Sequence, residues 1–153
     1  KNDILMNLLR PVLKTLVRQR IISNTLFTRA ANPNVIKKIL EQAYPSGKNL
    51  DQELIEILYQ PSKRRNSKEA FRGFINLFDD YLATDLFDKV NTPIQLIWGE
   101  KDPWESLSEA KEWKKKFKNI KRLDIIEGAG HCPHDEEPEK TNKLIYEFLQ
   151  ETK

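Results

Sequence analysis

The sequence predicts an α/β chain in which a run of helices is followed by a βαβα unit of a parallel sheet. Three observations carry this. Residues 1–90 place apolar side chains at helical spacing and show no strand pattern. Two short β-rich runs, Ile94–Trp98 and Leu123–Ile126, come afterwards, with a helix signature between them and another behind them. A glycine stands just past each run, at Gly99 and Gly128. On this pattern residues 1–85 form a helical region and residues 86–153 the end of a parallel sheet.

Each element has its own signal. From Asn2 to about Ile21, Ile4, Leu8, Val12 and Leu16 make one apolar row, and Leu5, Leu9, Leu13 and Val17 a second beside it. Pro11 is expected to kink or split that helix. After the break at Ala31-Asn32-Pro33, Asn34 is expected to cap a helix that turns Val35, Ile36, Ile39, Leu40 and Ala43 inward. Pro45-Ser46-Gly47 ends it. Asp51 caps the next helix, with Leu54, Ile55, Leu58 and Tyr59 inward, and Pro61 stops it. Lys63 to Ser67 reads as a basic loop. Ser67 opens a longer helix carrying Phe71, Phe74, Ile75, Phe78, Tyr81 and Leu82. Ile94–Trp98 reads as a mostly buried strand. Ser106 and Glu109 form a capping box for the helix that follows, and the lysines from Lys114 to Lys118 crowd that helix's C-terminus, where cations suit its dipole. Pro138 opens the last helix. Two parallel strands alone do not make a stable sheet, so residues 90–153 call for strands that this chain does not supply.

Composition excludes several classes. The chain has 153 residues, with 26 Lys or Arg against 23 Asp or Glu. One Cys rules out a disulfide framework or a Cys-rich metal site, and no apolar run is long enough to span a membrane. No signal peptide is visible, which predicts a cytoplasmic location. The balance is +7 over residues 1–66 and −4 over residues 67–153. Such a split fits an anionic partner or membrane surface for the first part, although a solvated surface is the commoner cause. Lys63-Arg64-Arg65 lacks interleaved aromatics, so no nucleic acid is expected.

In open α/β sheets, reactive groups gather past the carboxyl ends of the strands. The first strand delivers Asp102 there and the second delivers His131. Parallel neighbours lie about 4.8 Å apart, which allows a carboxylate to orient an imidazole. Alone, Asp102 reads as a turn residue and His131 as a loop histidine; their joint placement favours a catalytic pair. Cys132 reads as a structural thiol. His131 and His134 lack a third ligand and stand in a Pro-containing loop, so neither a metal nor any other cofactor is expected. No two glycines bracket a Ser as G-x-S-x-G, so the usual nucleophile of such a pair is absent from the chain.

The segment Thr92-Pro93-Ile94-Gln95-Leu96-Ile97-Trp98-Gly99-Glu100-Lys101-Asp102-Pro103-Trp104 resembles the strand-and-acid segment of α/β-hydrolase-fold enzymes. Gly128-Ala129-Gly130-His131-Cys132-Pro133-His134-Asp135-Glu136-Glu137-Pro138-Glu139 resembles their catalytic-His loop. The Cys-Pro after the His and the acidic run before Pro138 are similar to a pheophytinase-like branch found in cyanobacteria and plastids. Ala31-Asn32-Pro33 through Tyr44 is similar to that branch's helical cap. A Lys-over-Arg bias of 18 to 8, with 11 Asn, suits a bacterial, A+T-rich genome.

The resemblance implies a partial α/β-hydrolase fold: a cap over residues 1–85, then the C-terminal core, completed by the missing N-terminal half. It implies that Asp102 is the acid and His131 the base of a Ser-His-Asp triad acting on a small lipophilic carboxylic ester. Phe71, Phe74, Phe78 and Tyr81 are then candidate substrate liners of the cap, with core packing as their commoner fate. One alternative is an epoxide hydrolase or haloalkane dehalogenase with an Asp nucleophile, for which Tyr44, Tyr59 and Tyr81 are candidate hydroxyls. Another is a non-catalytic module that rests its basic, amphipathic first helix on a membrane surface or a partner.

Overall fold

The computed structural model describes residues 15–77 and 82–152. In chain order its elements are α1 (Arg20–Ala30), α2 (Pro33–Ala43), α3 (Gln52–Tyr59), α4 (Ser67–Leu77), α5 (Ala83–Leu86), β1 (Ile94–Gly99), α6 (Leu107–Lys116), β2 (Ile120–Ile126), α7 (Pro133–Glu136) and α8 (Pro138–Glu151). Single 3-10 turns follow α3 and α5. The chain groups into two compact units that interrupt one another in sequence, Lys1–Ile36 with Ile55–Tyr81 and Lys37–Leu54 with Leu82–Lys153. The sequence pattern divides the chain once, at residue 85. The packing instead sets residues 37–54 beside the C-terminal part, through hydrogen bonds that local periodicity does not report.

In the first unit, residues 15–18 are helical and α1 continues to Ala30, past the end that the spacing predicts at Ile21. The rest of that predicted helix, with Pro11, lies outside the described residues. Helix α1 meets α4 through Phe27 and Phe71, whose ring centroids are 5.3 Å apart. Ser23 is fully buried, its hydroxyl donating to the Arg20 carbonyl at 3.2 Å. Ile55 is buried as well, whereas Leu26, Ile57 and Leu58 stay exposed. The Arg64 to Ser67 corner turns through Asn66, which has a left-handed φ of 64°.

Helix α2 is capped by Asn32 rather than Asn34: the Asn32 Oδ1 accepts from the Asn34 N–H at 2.9 Å, and Pro33 takes the first helical position. Pro33 has no N–H to satisfy, so the cap falls one residue before it. Leu40 and Ala43 are buried as predicted, but Ile39 is exposed. Asp51 caps α3 by accepting from the Leu54 N–H at 2.8 Å.

The second unit holds the sheet. Strands β1 and β2 pair in parallel, Leu96 opposite Leu123 and Gly99 opposite Ile126, with α6 as the connection. Trp98 packs edge-on against Trp113 of α6. Gln95, on the other face of β1, donates to the Leu144 carbonyl of α8 at 3.1 Å. Helix α6 is capped by Ser106, which accepts from Ser108 N–H at 3.2 Å. The predicted return contact from Glu109 to close the capping box is not among the hydrogen bonds of the described residues. Ala110, Phe117 and Ile120 form the centre of the core.

Strand β1 is half-buried from Ile94 to Trp98, not mostly buried as the apolar run predicts. One helix lies on each face, and among the described residues the sheet has only two strands. On the α8 side, Arg122 of β2 bridges Asp124, Glu147 and Glu151 at 2.9–3.0 Å. The hydrogen bonds it donates to Glu147 and Asp124 hold its guanidinium even more firmly protonated.

Candidate active site

The site is built at the carboxyl ends of β1 and β2, within the second unit. Beyond Gly99 the chain turns at once, and the Glu100 N–H still follows the ladder, donating to the Ile126 carbonyl at 3.0 Å. The Lys101 N–H then reaches the Ala129 carbonyl at 2.8 Å. The two strand ends are thus joined by backbone, residue by residue, before any side chain enters. Gly99 is where the loops touch. A Cβ there would stand 1.8 Å from the Gly130 carbonyl oxygen, so only glycine lets the second loop cross over the first. Gly128 makes the return turn with a φ of +76°, and its N–H donates to the Glu100 carboxylate at 3.1 Å.

These crossings deliver the acid and the imidazole to one another. The His131 Nδ1 lies 2.9 Å from the Asp102 Oδ2. The other carboxylate oxygen, Oδ1, accepts from the Trp104 N–H at 2.9 Å and the Glu105 N–H at 3.0 Å. The Asp102 side chain is 7% exposed and the His131 side chain 39%. Burial works to raise the Asp102 carboxyl, but the two backbone N–H groups and His131 outweigh it and hold it below its ordinary value. An ionised carboxylate only accepts, so Nδ1 carries the proton and Nε2 keeps its lone pair. The Trp104 ring meets the imidazole edge-on, centroids 4.8 Å apart. A small open depression adjoins the pair, bounded by Ile97, Trp98, Glu105 and Pro133.

The far side of the His loop is held by residues 43–49. The Ala43 carbonyl accepts from the His131 N–H at 2.8 Å. Gly130 passes so close to this segment that a Cβ would meet the Ala43 oxygen and the Pro45 ring at 2.3 Å. The Tyr44 hydroxyl donates to Asp135 at 2.7 Å. Burial, then the Asp135 carboxylate and the Cys132 thiol, push that hydroxyl far above its ordinary range. Tyr44 is thereby engaged with the His loop. Glu137 pairs with Lys48 and Lys140, which hold its carboxyl below the usual range.

The other residues singled out by sequence are not gathered here. Phe71 packs on Phe27 in the first unit, and Phe74 is 62% exposed there. Phe78 and Tyr81 lie outside the described residues. Tyr59 sits under the Lys63 ammonium, 4.3 Å from its ring centroid. His134 is exposed on α7, and among the described residues no three His, Cys, Asp or Glu side chains are grouped to hold a metal ion. Sequence reasoning passed over Trp104, Glu100 and Glu136. The spacing of Trp104 from Asp102 matches the turn that the Asp102 carboxylate closes, a signal in retrospect; Glu136, between two other acids, carries none.

No family model matches the chain. Among curated proteins it is similar to chloroplastic pheophytinase of Arabidopsis thaliana, 28% identical over 84% of this chain and 27% of that protein. It is similar to monoacylglycerol lipase ABHD6 of Mus musculus, 33% identical over 54% of this chain and 24% of that one. It is also similar to human epoxide hydrolase 4, 40% identical over 40% of this chain and 17% of the relative. The chain thus spans about a quarter or less of the length of these relatives. Among solved structures, a bacterial membrane phospholipase A superposes with a TM-score of 0.62 at 24% identity, covering 80% of this chain and 39% of that one. The acid and imidazole loops at adjacent strand ends, the superposed phospholipase and the run of hydrolase relatives show that this chain carries part of the α/β-hydrolase fold, with pheophytinase among the proteins it is similar to.

Proposed function

We propose that the protein to which this chain belongs hydrolyses carboxylic esters of lipophilic compounds, with Asp102 and His131 as acid and base and the nucleophile supplied from outside these residues. The observation that carries the reading is the 2.9 Å contact from His131 Nδ1 to the buried Asp102 carboxylate. Asp102 fixes the imidazole's tautomer and stabilises its charged form. Nε2 then takes the nucleophile's proton as it attacks the ester carbonyl, and returns it to the departing alcohol. In the second half-reaction the same nitrogen activates water to release the acid. The names of the monoacylglycerol lipase and phospholipase relatives support an ester bond in a lipophilic substrate.

The test restores the upstream coding sequence and measures turnover of p-nitrophenyl esters of rising chain length. His131→Ala is expected to lower kcat by about a thousandfold or more. Undiminished turnover in that variant would overturn the assignment.

The resemblance to epoxide hydrolase 4 supports a second reading, ring opening by an Asp nucleophile. Turnover of styrene oxide but not of the esters would favour it.

A further inference from the structure

We propose that Glu136 is a positioning residue for His131, holding the base in register with Asp102 through the backbone of Gly130. This rests on the reading of His131 as the base.

Glu136 stands between two exposed-looking neighbours in an acidic run, yet it is 2% exposed. A buried carboxylate is costly unless its oxygens are satisfied. Here no cation does this among the described residues; three donors do. One oxygen, Oε1, accepts from the Gly130 N–H at 2.5 Å. The other, Oε2, accepts from the Ser46 N–H at 3.2 Å and from the Ser46 hydroxyl. The carboxylate therefore joins the Ala129–Gly130 peptide to the segment that receives the following N–H, that of His131, at Ala43. Other ties from outside on residues 128–131 are the backbone bonds to Ala43 and Lys101, the Glu100 carboxylate at Gly128 and the Asp102 carboxylate at the imidazole. Glu136 is the side chain that bonds the backbone N–H of Gly130, the residue before His131. Its position is itself fixed, since α7 is tied to α8 by the buried Thr141 hydroxyl, which donates to the Pro133 carbonyl at 3.0 Å. Charge-assisted bonds of this kind are stronger than neutral ones and directional. Losing one lets the Gly130 peptide rotate, and the imidazole swings with it.

Glu136→Gln keeps the shape but presents a donor to one of the two N–H groups. The test follows the intact protein by NMR with 15N-labelled histidine, His131 being assigned by His131→Ala. In E136Q the His131 Nδ1–H signal is expected to exchange with water about tenfold to a hundredfold faster than in wild type. In Ser46→Ala, which removes one donor and touches neither His131 nor Asp102, the same change is expected at about threefold. A lower melting temperature with wild-type imidazole signals would make Glu136 a structural residue only and overturn the proposal. If E136Q does not fold, S46A decides: an unmoved Nδ1–H signal there overturns it. These signals report imidazole placement whether or not the protein cleaves esters. Failure of the ester assay and failure of this proposal are therefore separate results.

Discussion

The two units of the chain are held together in different ways. In the first, contacts are made by side-chain ends: one tilted Phe27–Phe71 pair, and exposed ion pairs such as Arg20 with Glu69 at 3.7 Å. In the second, the carboxyl ends of the strands are held by backbone meeting backbone, with glycines at the crossings and carboxylates on the remaining N–H groups. Side-chain contacts tolerate displacement, because rotamers adjust. Backbone crossings tolerate it less, because no side-chain rotamer stands at the contact to absorb it. The chain spends its tightest geometry where the imidazole meets the carboxylate.

The sharpest way to break this contrast is at Gly99. Gly99→Ala drives a Cβ into the Gly130 carbonyl, and overpacking of this kind costs about 1–3 kcal/mol. Because the displaced atoms belong to the His loop, the Asp102–His131 bond is expected to be lost with it. Urea denaturation and the Nδ1–H signal check the two effects. A variant with wild-type stability and an intact imidazole signal would show that the crossing is slack.

Acid titration gives a smaller and more selective effect. The Asp102 carboxyl is lowered in the folded state, from an ordinary value of 3.8. Its contribution to stability is therefore fully present above that value and lost as pH falls through the lowered one. Unfolding midpoints of wild type and Asp102→Asn, compared from pH 6 down to pH 2, are expected to converge at the acid end. Parallel curves would exclude Asp102 from the acid response.

The smallest effect is expected in the first unit. Glu69→Gln removes an exposed ion pair and should change stability by less than about 0.5 kcal/mol. A large loss there would erase the distinction between the units.

How far these features were legible follows from the distance of the contacts involved. Asp102 and His131 could be paired from sequence because strand order and strand spacing bring the ends of β1 and β2 together. Asp51, Ser106 and Pro138 announce helix starts because capping is local. The Asn32 cap was misread as Asn34 because Pro33 moves the helix start one residue earlier. The burial of β1 was overread because an apolar run reports what a strand is suited to, and only the surroundings decide how much of it is covered. The helix through Ala30 was cut short because Thr25, Thr28 and Arg29 dilute its apolar row. Glu136 was invisible: a carboxylate in the run Asp135-Glu136-Glu137 looks solvated, and its partner Ser46 is 90 positions away. The grouping of residues 37–54 with the C-terminal part was hidden for the same reason.

That separation has a bearing on the order of folding. The Asp102–His131 contact closes a loop of 29 positions, whereas the bond from Tyr44 to Asp135 closes one of 91. Loop-closure entropy grows with the logarithm of length, so the longer closure costs about 1 kcal/mol more. The cheaper closure is expected first, so the acid and base come near each other before the Tyr44 segment locks the base, and orientation of the imidazole is a late event in folding.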